Sequence, residues 1–224
     1  MGHLPPIAVL TGDIVGSTKA TPDAVSQALA LIQRLAEDIT AHSPPETMPR
    51  FTRFRGDGWQ CYFDAPVFAP RIALAMVAKL RGADIGLETR IAIGIGSYTS
   101  LGHRDLSDAG GDVFEKSGRA LDKMSTQSRM AFAWRNATAT DQIALTLLRE
   151  RASKWSQEQA EAMAETLLPS APTQSTIADR LGISPQAVSY RLSGAGAPAI
   201  KKAIDLWEGD ITKRLALNED QPHA

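Results

Sequence analysis

The chain has 224 residues, 43% hydrophobic and 22% charged, with a formal net charge of −1. That length allows one good core and a small second domain, and the even charge balance excludes attraction of the whole chain to nucleic acid, so any such contact must be local. The single cysteine, Cys61, excludes an intramolecular disulfide and is compatible with a reducing compartment.

In chain order, the opening Met1-Gly2-His3-Leu4-Pro5-Pro6 has neither a charged leader nor an apolar signal core. No later run approaches the ~20 apolar residues of a membrane span, so a cytoplasmic protein without membrane contact is expected. Residues 7–10 form a continuous apolar run suited to a central strand buried on both faces. Thr21 and Pro22 read as the cap and first residue of a helix reaching about residue 41, with Val25, Leu29, Ile32, Leu35 and Ile39 at helical spacing. Ser43-Pro44-Pro45 ends it. Residues 50–55 and 59–63 read as two antiparallel strands joined by the turn Gly56-Asp57-Gly58. A second helix is expected over residues 66–80, closed by Gly82, then a strand over 90–96 and a long loop over 97–111.

Residues 112–124 read as a helix and 129–134 as a short strand. This order predicts an α+β domain, ferredoxin-like at its core, with helices on one face of a mainly antiparallel sheet. After Asn136 the pattern is helical only, over 140–152 and 156–168, then a break at Pro169-Ser170-Ala171-Pro172 and a compact three-helix tail. The expected division is a first domain over 1–135, connecting helices over 136–170, and an all-α domain over 171–224.

Two aspartates stand out. Asp13 follows the first apolar strand and precedes Ile14-Val15-Gly16-Ser17-Thr18; Asp57 occupies the hairpin turn. Magnesium takes a few carboxylates, waters and phosphate oxygens in octahedral array. Asp13 and Asp57 on adjacent strands can supply the carboxylates, and the Ile14 carbonyl a further ligand. Gly16, Ser17 and Thr18 offer amides and hydroxyls to phosphate oxygens, while Gly56 and Gly58 allow close backbone approach. Singly, each aspartate has a plainer reading, as a turn cap or an ordinary hairpin residue; together, at neighbouring strand ends, they favour a site. His103, alone in the long loop, reads more simply as neither ligand nor base.

Asp13-Ile14-Val15-Gly16-Ser17-Thr18, Gly56-Asp57-Gly58 with Phe63 beyond it, and Arg90-Ile91-Ala92-Ile93-Gly94 resemble, in this order, the catalytic domain of class III nucleotide cyclases, with a layout similar to the SatD-like proteins. The resemblance implies Mg2+ or Mn2+ on Asp13 and Asp57, a purine nucleotide, and a homodimer whose site lies between protomers. It also implies that Arg119 stabilises transition-state charge. Two departures accompany it. Arg53 stands where the family has its purine-selecting lysine, able to meet phosphate or base in a different way. Glu115 stands at the family's asparagine, where a carboxylate would repel polyphosphate by several kcal/mol if desolvated. The implied domain is therefore degenerate as a cyclase. Arg119 reads equally as an exposed arginine on a charged helix with Asp112, Glu115 and Lys116.

In the tail, Ile177, Leu181, Ile183, Val188 and Leu192 form the apolar interior of two short crossed helices. Ala178 is small at their contact, Gly182 suits the turn, Ser184 caps the second helix and Pro185 fills its first turn. The segment 173–192 resembles the helix-turn-helix of bacterial regulators, especially the sigma-factor type ending Val188-Ser189-Tyr190-Arg191-Leu192. The resemblance implies double-stranded DNA as partner, with Gln186, Ser189 and Tyr190 at base edges and Ser184, Arg180 and Arg191 nearer phosphates. From Arg151 onward eight basic residues face nine acidic ones, so non-specific affinity should be weak and a dimer is favoured. The alternative is a helical hairpin serving assembly. A final amphipathic helix is expected over 198–217. The expected function is a nucleotide-sensing DNA-binding transcription regulator; the alternative is an active nucleotide cyclase with a DNA-binding tail.

Overall fold

The computed structural model describes residues 4–40, 51–54, 56–103, 105–125 and 128–219. Ser43-Pro44-Pro45, the strand-end residues Arg50 and Arg55, and the end of the tail beyond 219 lie outside the described residues. Five strands form one sheet: β1 (Ile7–Val15), β2 (Phe51–Phe54), β3 (Gly58–Phe63), β4 (Glu88–Gly96) and β5 (Met130–Trp134). Their spatial order is β2-β3-β1-β4-β5. The pairings β2–β3, β3–β1 and β1–β4 are antiparallel, and β4–β5 is parallel. The expected mainly antiparallel α+β architecture is therefore present, with the first four strands in the order that a β-α-β-β-α-β chain produces. The first strand is the central one, which explains its unbroken apolar run.

Helix α1 (Pro22–Thr40) is entered as expected, the Thr21 hydroxyl accepting from the Ala24 amide at 3.2 Å. Helix α2 (Ala69–Gly82) follows a short 3-10 turn at Pro66–Phe68. Gly82 does more than close it. A side chain there would meet the backbone of Glu161 at 3.0 Å, so glycine lets α2 lie tightly against the later helix that carries Glu161.

The expectation that all helices share one face of the sheet is corrected by α3 (Asp112–Asp122). Ala8 and Leu10 of β1 join the core beneath α1 and α2, whereas Ile7 and Val9 pack with Val113 and Phe114 of α3 on the other face. The cause lies in β4. Ile91, Ile93 and Ile95 fill one side, but the alternate positions are Ala92, Gly94 and Gly96, which leave room for a helix. A parallel crossover from β4 to β5 then brings α3 over that face. Polar groups pin it: the Gln60 amide donates to Thr11 Oγ1 at 2.8 Å, and Thr11 and Ser117 hydroxyls are 2.9 Å apart in a buried bond.

The remaining helices are α4 (Ala139–Ala152), α5 (Gln157–Thr166), α6 (Gln174–Leu181), α7 (Pro185–Ala195) and α8 (Ala197–Glu219). One continuous apolar cluster runs from Leu10, Trp59 and Ile93 through Met76 and Met163 to Ile177, Val188, Ile204 and Trp207. Polar pins accompany it. Buried Arg71 of α2 makes a double hydrogen bond to Glu208 of α8 at 2.6 and 2.7 Å. Asp141 of α4 accepts from Trp207 Nε1 at 2.6 Å and from both terminal nitrogens of Arg214. Among the described residues, no helix is long and apolar enough to cross a membrane.

Candidate functional site

Strand register places Asp13 between Gly58 of β3 and Arg90 of β4. Asp57 lies one residue before Gly58, and its carbonyl accepts the Ile14 amide at 3.2 Å. The hairpin reaches this position because Gly56 adopts φ +81°, a conformation that a side chain resists. Gly16, at φ +83°, starts the 3-10 turn Ser17–Lys19, and the Ser17 hydroxyl donates to Asp57 Oδ2. The structure thus brings Asp13, Ile14, Gly16, Ser17, Gly56 and Asp57 to one end of the sheet, with exposed Thr18 on the same turn.

The strongest partner of Asp13 is Arg90, which the sequence marked only as the start of a strand. Arg90 Nε donates to Asp13 Oδ1 at 2.9 Å and Nη2 to Oδ2. This hydrogen bonding raises the arginine pKa against the opposing effect of partial burial, and the charges of Asp13, Asp122 and Asp57 add to it. Three carboxylates therefore act on one guanidinium. The register could have revealed it: once β1 and β4 are neighbours, Arg90 and Asp13 are cross-strand partners, and opposite charges there attract.

Two carboxylates and a nearby backbone carbonyl match the oxygen chemistry that magnesium takes when water and phosphate complete its shell. In type, Asp13, Asp57 and Ile14 fit such an ion. No group of three His, Cys, Asp or Glu side chains suited to a metal occurs among the described residues. Both Asp13 oxygens accept from Arg90, and each keeps a further lone pair that a cation could use.

Other expected residues lie apart. Arg53 pairs in register with Trp59; its Nε donates to the Gly56 carbonyl at 2.7 Å and its Nη1 reaches Ser26 of α1 at 3.4 Å. That places it on the α1 side of the sheet, whereas Asp13 shares the α3 side with Thr11. Arg119 forms an exposed i,i+4 pair with Glu115 at 2.8 Å. His103 pairs with Asp108 at 2.8 Å in the loop before α3. Cys61 is buried in β3, and burial pushes its thiol pKa far up, so it is no nucleophile.

In the tail, Gly182 at φ +65° joins α6 to α7, and the Ser184 hydroxyl accepts the Ala187 amide at 3.2 Å. Ile177, Ala178, Val188 and Leu192 are buried. Gln186, Ser189 and Tyr190 project outward, Tyr190 with 83% of its surface exposed. Arg180 and Arg191 are held by α5, through Glu165 at 2.6 Å and Glu161 at 2.7 Å. Two cations missed from the sequence stand beside the outward face: Lys201 and Lys202 of α8 line one groove with Gln174, Ser189 and Ser193. Their only sequence signal was a Lys-Lys step shortly after the glycine that ends α7.

No protein-family model matches the chain, and no curated protein matches it. Among solved structures it is similar to a bacterial light-regulated adenylyl cyclase, at 16% identity and a TM-score of 0.42, over 59% of this chain and 44% of that one. It is also similar to the guanylyl cyclase Cya2, at 18% identity and a TM-score of 0.34, over 56% of this chain and 74% of that one. The chain thus spans less than half the length of the light-regulated enzyme.

Proposed function

We propose that the chain is a DNA-binding regulator whose tail reads double-stranded DNA and whose sheet end binds a purine nucleotide with Mg2+ or Mn2+. The observation that carries this reading is the outward face of α7. A helix with Val188 and Leu192 sealed beneath it presents Gln186, Ser189 and nearly bare Tyr190 to solvent, on the element that a major groove accommodates. Lys201 and Lys202 supply positive charge on its flank, offsetting the engagement of Arg180 and Arg191 by glutamates.

The nucleotide part of the reading is supported by Asp13 and Asp57 meeting beside the Gly16-Ser17-Thr18 turn. Binding without efficient turnover is favoured, because Glu115 holds Arg119 in an exposed ion pair. A homodimer, with two reading helices, compensates for the weak net charge of the tail.

The test is anisotropy of the full chain on DNA selected from a random pool, with and without ATP or GTP plus Mg2+. Gln186→Ala and Tyr190→Ala should each weaken the selected site by about 5- to 150-fold while affecting random DNA little. Nucleotide should shift the wild-type affinity and leave Asp57→Asn unchanged. Retention of the selected sequence by both tail variants overturns the reader assignment, and an identical nucleotide response in Asp57→Asn overturns the sensor assignment.

A further inference from the structure

Helix α8 buries one face and leaves another bare. Ile200, Ile204, Trp207 and Ile211 are sealed against the rest of the protomer. On a different side Leu206, Asp210, Lys213 and Leu217 are all exposed, and at 3.6 residues per turn they fall on one narrow stripe. Leu206 and Leu217 keep 68% and 66% of their surface in water. A single exposed leucine is ordinary. Two on one stripe, with an acid and a base between them, form a pattern.

The steps along the stripe are four, three and four residues, the same in either direction. Its chemistry mirrors as well: leucine, acid, base, leucine. An identical stripe laid antiparallel therefore sets each Leu206 against a Leu217 and each Asp210 against a Lys213, all at once. A parallel arrangement would set like charge on like charge, which repels. Both charges are available. The Asp210 side chain is 52% exposed and bonds Arg214 in its own helix at 2.7 Å, which leaves its carboxylate further acceptor sites. Among the described residues no acid pairs with Lys213. Gly209, on the edge of the stripe, has open space beyond it, so a neighbouring helix meets no side chain there.

We infer that this stripe of α8 docks on the same stripe of a second copy of the chain, antiparallel, about a two-fold axis between Ile211 and Thr212. It gives a surface to the homodimer proposed above and rests on that reading for its purpose: α8 follows α7 directly, so the axis fixes the two reading helices relative to each other. Lys202 lies about 15 Å along the helix from the axis, and Lys201 one residue further. One helix pair buries less than the ~1,600 Å² of a standard interface, so the dimer is weak and depends on concentration.

The experiment is sedimentation equilibrium of the full chain without DNA or nucleotide, so that neither the reader nor the sensor assignment enters the result. The wild type should pass from monomer to dimer as concentration rises. Leu206→Gln/Leu217→Gln, at exposed positions, should keep its helical circular dichroism and lose at least tenfold in dimer affinity. Lys213→Glu should also weaken the dimer, and salt should narrow its difference from the wild type. Register is read by a short bismaleimide, with buried Cys61 as a silent background. Leu206→Cys/Leu217→Cys should be joined into a covalent dimer. Leu206→Cys alone and Leu217→Cys alone should not, because in the antiparallel pair each lies about 16 Å from its own copy. A wild type that stays monomeric at high micromolar concentration overturns the inference, as does efficient joining of either single variant. Undiminished dimerisation of Leu206→Gln/Leu217→Gln also overturns it, and moves the homodimer to another face.

Discussion

Asp141 is fully buried and yet carries its charge where α4 meets α8. Burial is the largest single influence on its carboxyl and opposes ionisation. The hydrogen bonds from Arg214, the Thr138 amide and Trp207 together outweigh it and hold the pKa below the ordinary value. Replacing it by alanine strands Trp207 Nε1 and leaves Arg214 with Asp210 and the Asn136 carbonyl alone, and a buried polar group left without its partner costs about 1–3 kcal/mol. Because the folded pKa is depressed, this stabilisation is complete above the unfolded carboxylate value of about 3.9 and is lost as pH falls through the folded value. The gap in urea midpoint between wild type and Asp141→Ala should therefore be constant from pH 7 to about 5 and close below about pH 4. A gap that persists unchanged in acid would contradict the ion-pair origin. Neither Asp141 nor Arg90 was legible in the sequence as a pivotal residue. Each gains its meaning from a partner far along the chain: Arg214 and Trp207 for one, Asp13 for the other. Asp13 and Asp57 were legible, because glycines and strand ends announce them locally.

At the scale of elements, alternation in β4 was readable on one face only. Ile91, Ile93 and Ile95 declare a core, whereas Ala92, Gly94 and Gly96 look merely small until α3 is placed over them. Smallness there is a packing requirement: a Cβ on Gly94 would stand 3.0 Å from both the Val113 carbonyl and the Ser117 Cβ. Gly94→Val should force α3 outward and destabilise the fold by about 1–3 kcal/mol, read as an earlier denaturation midpoint, with faster amide exchange in α3. The α6–α7 pair was the most legible part of the chain. Its cap at Ser184, its turn at Gly182 and its inward apolar positions are all local, and each sits where local rules put it. Arg180 and Arg191 show where local reading stops, since their glutamate partners belong to α5.

Across the whole molecule, sheet and tail share one apolar cluster, with α2 packed against both the sheet and α5. Buried tryptophans report on both halves: Trp59 in β3, Trp155 before α5 and Trp207 in α8. Single-tryptophan variants retaining each in turn should unfold at one shared denaturant midpoint, because a shared core makes the transition cooperative. Separate midpoints for Trp59 and Trp207 would show two independently melting parts.

The end of α7 is tied down in an unusual manner. Its Ala195 carbonyl receives both the Trp155 indole and Arg151 Nε at 3.0 Å, and Arg151 Nη2 holds the Gly194 carbonyl at 2.8 Å. Donor and acceptor here are more than forty residues apart in the chain: Arg151 closes the helix that leads directly out of β5. These bonds make the seat of the rear of α7 depend on where the end of α4 lies. The orientation of α7 is thus held from its rear by the helix that follows β5, as well as by the short turn at Gly182.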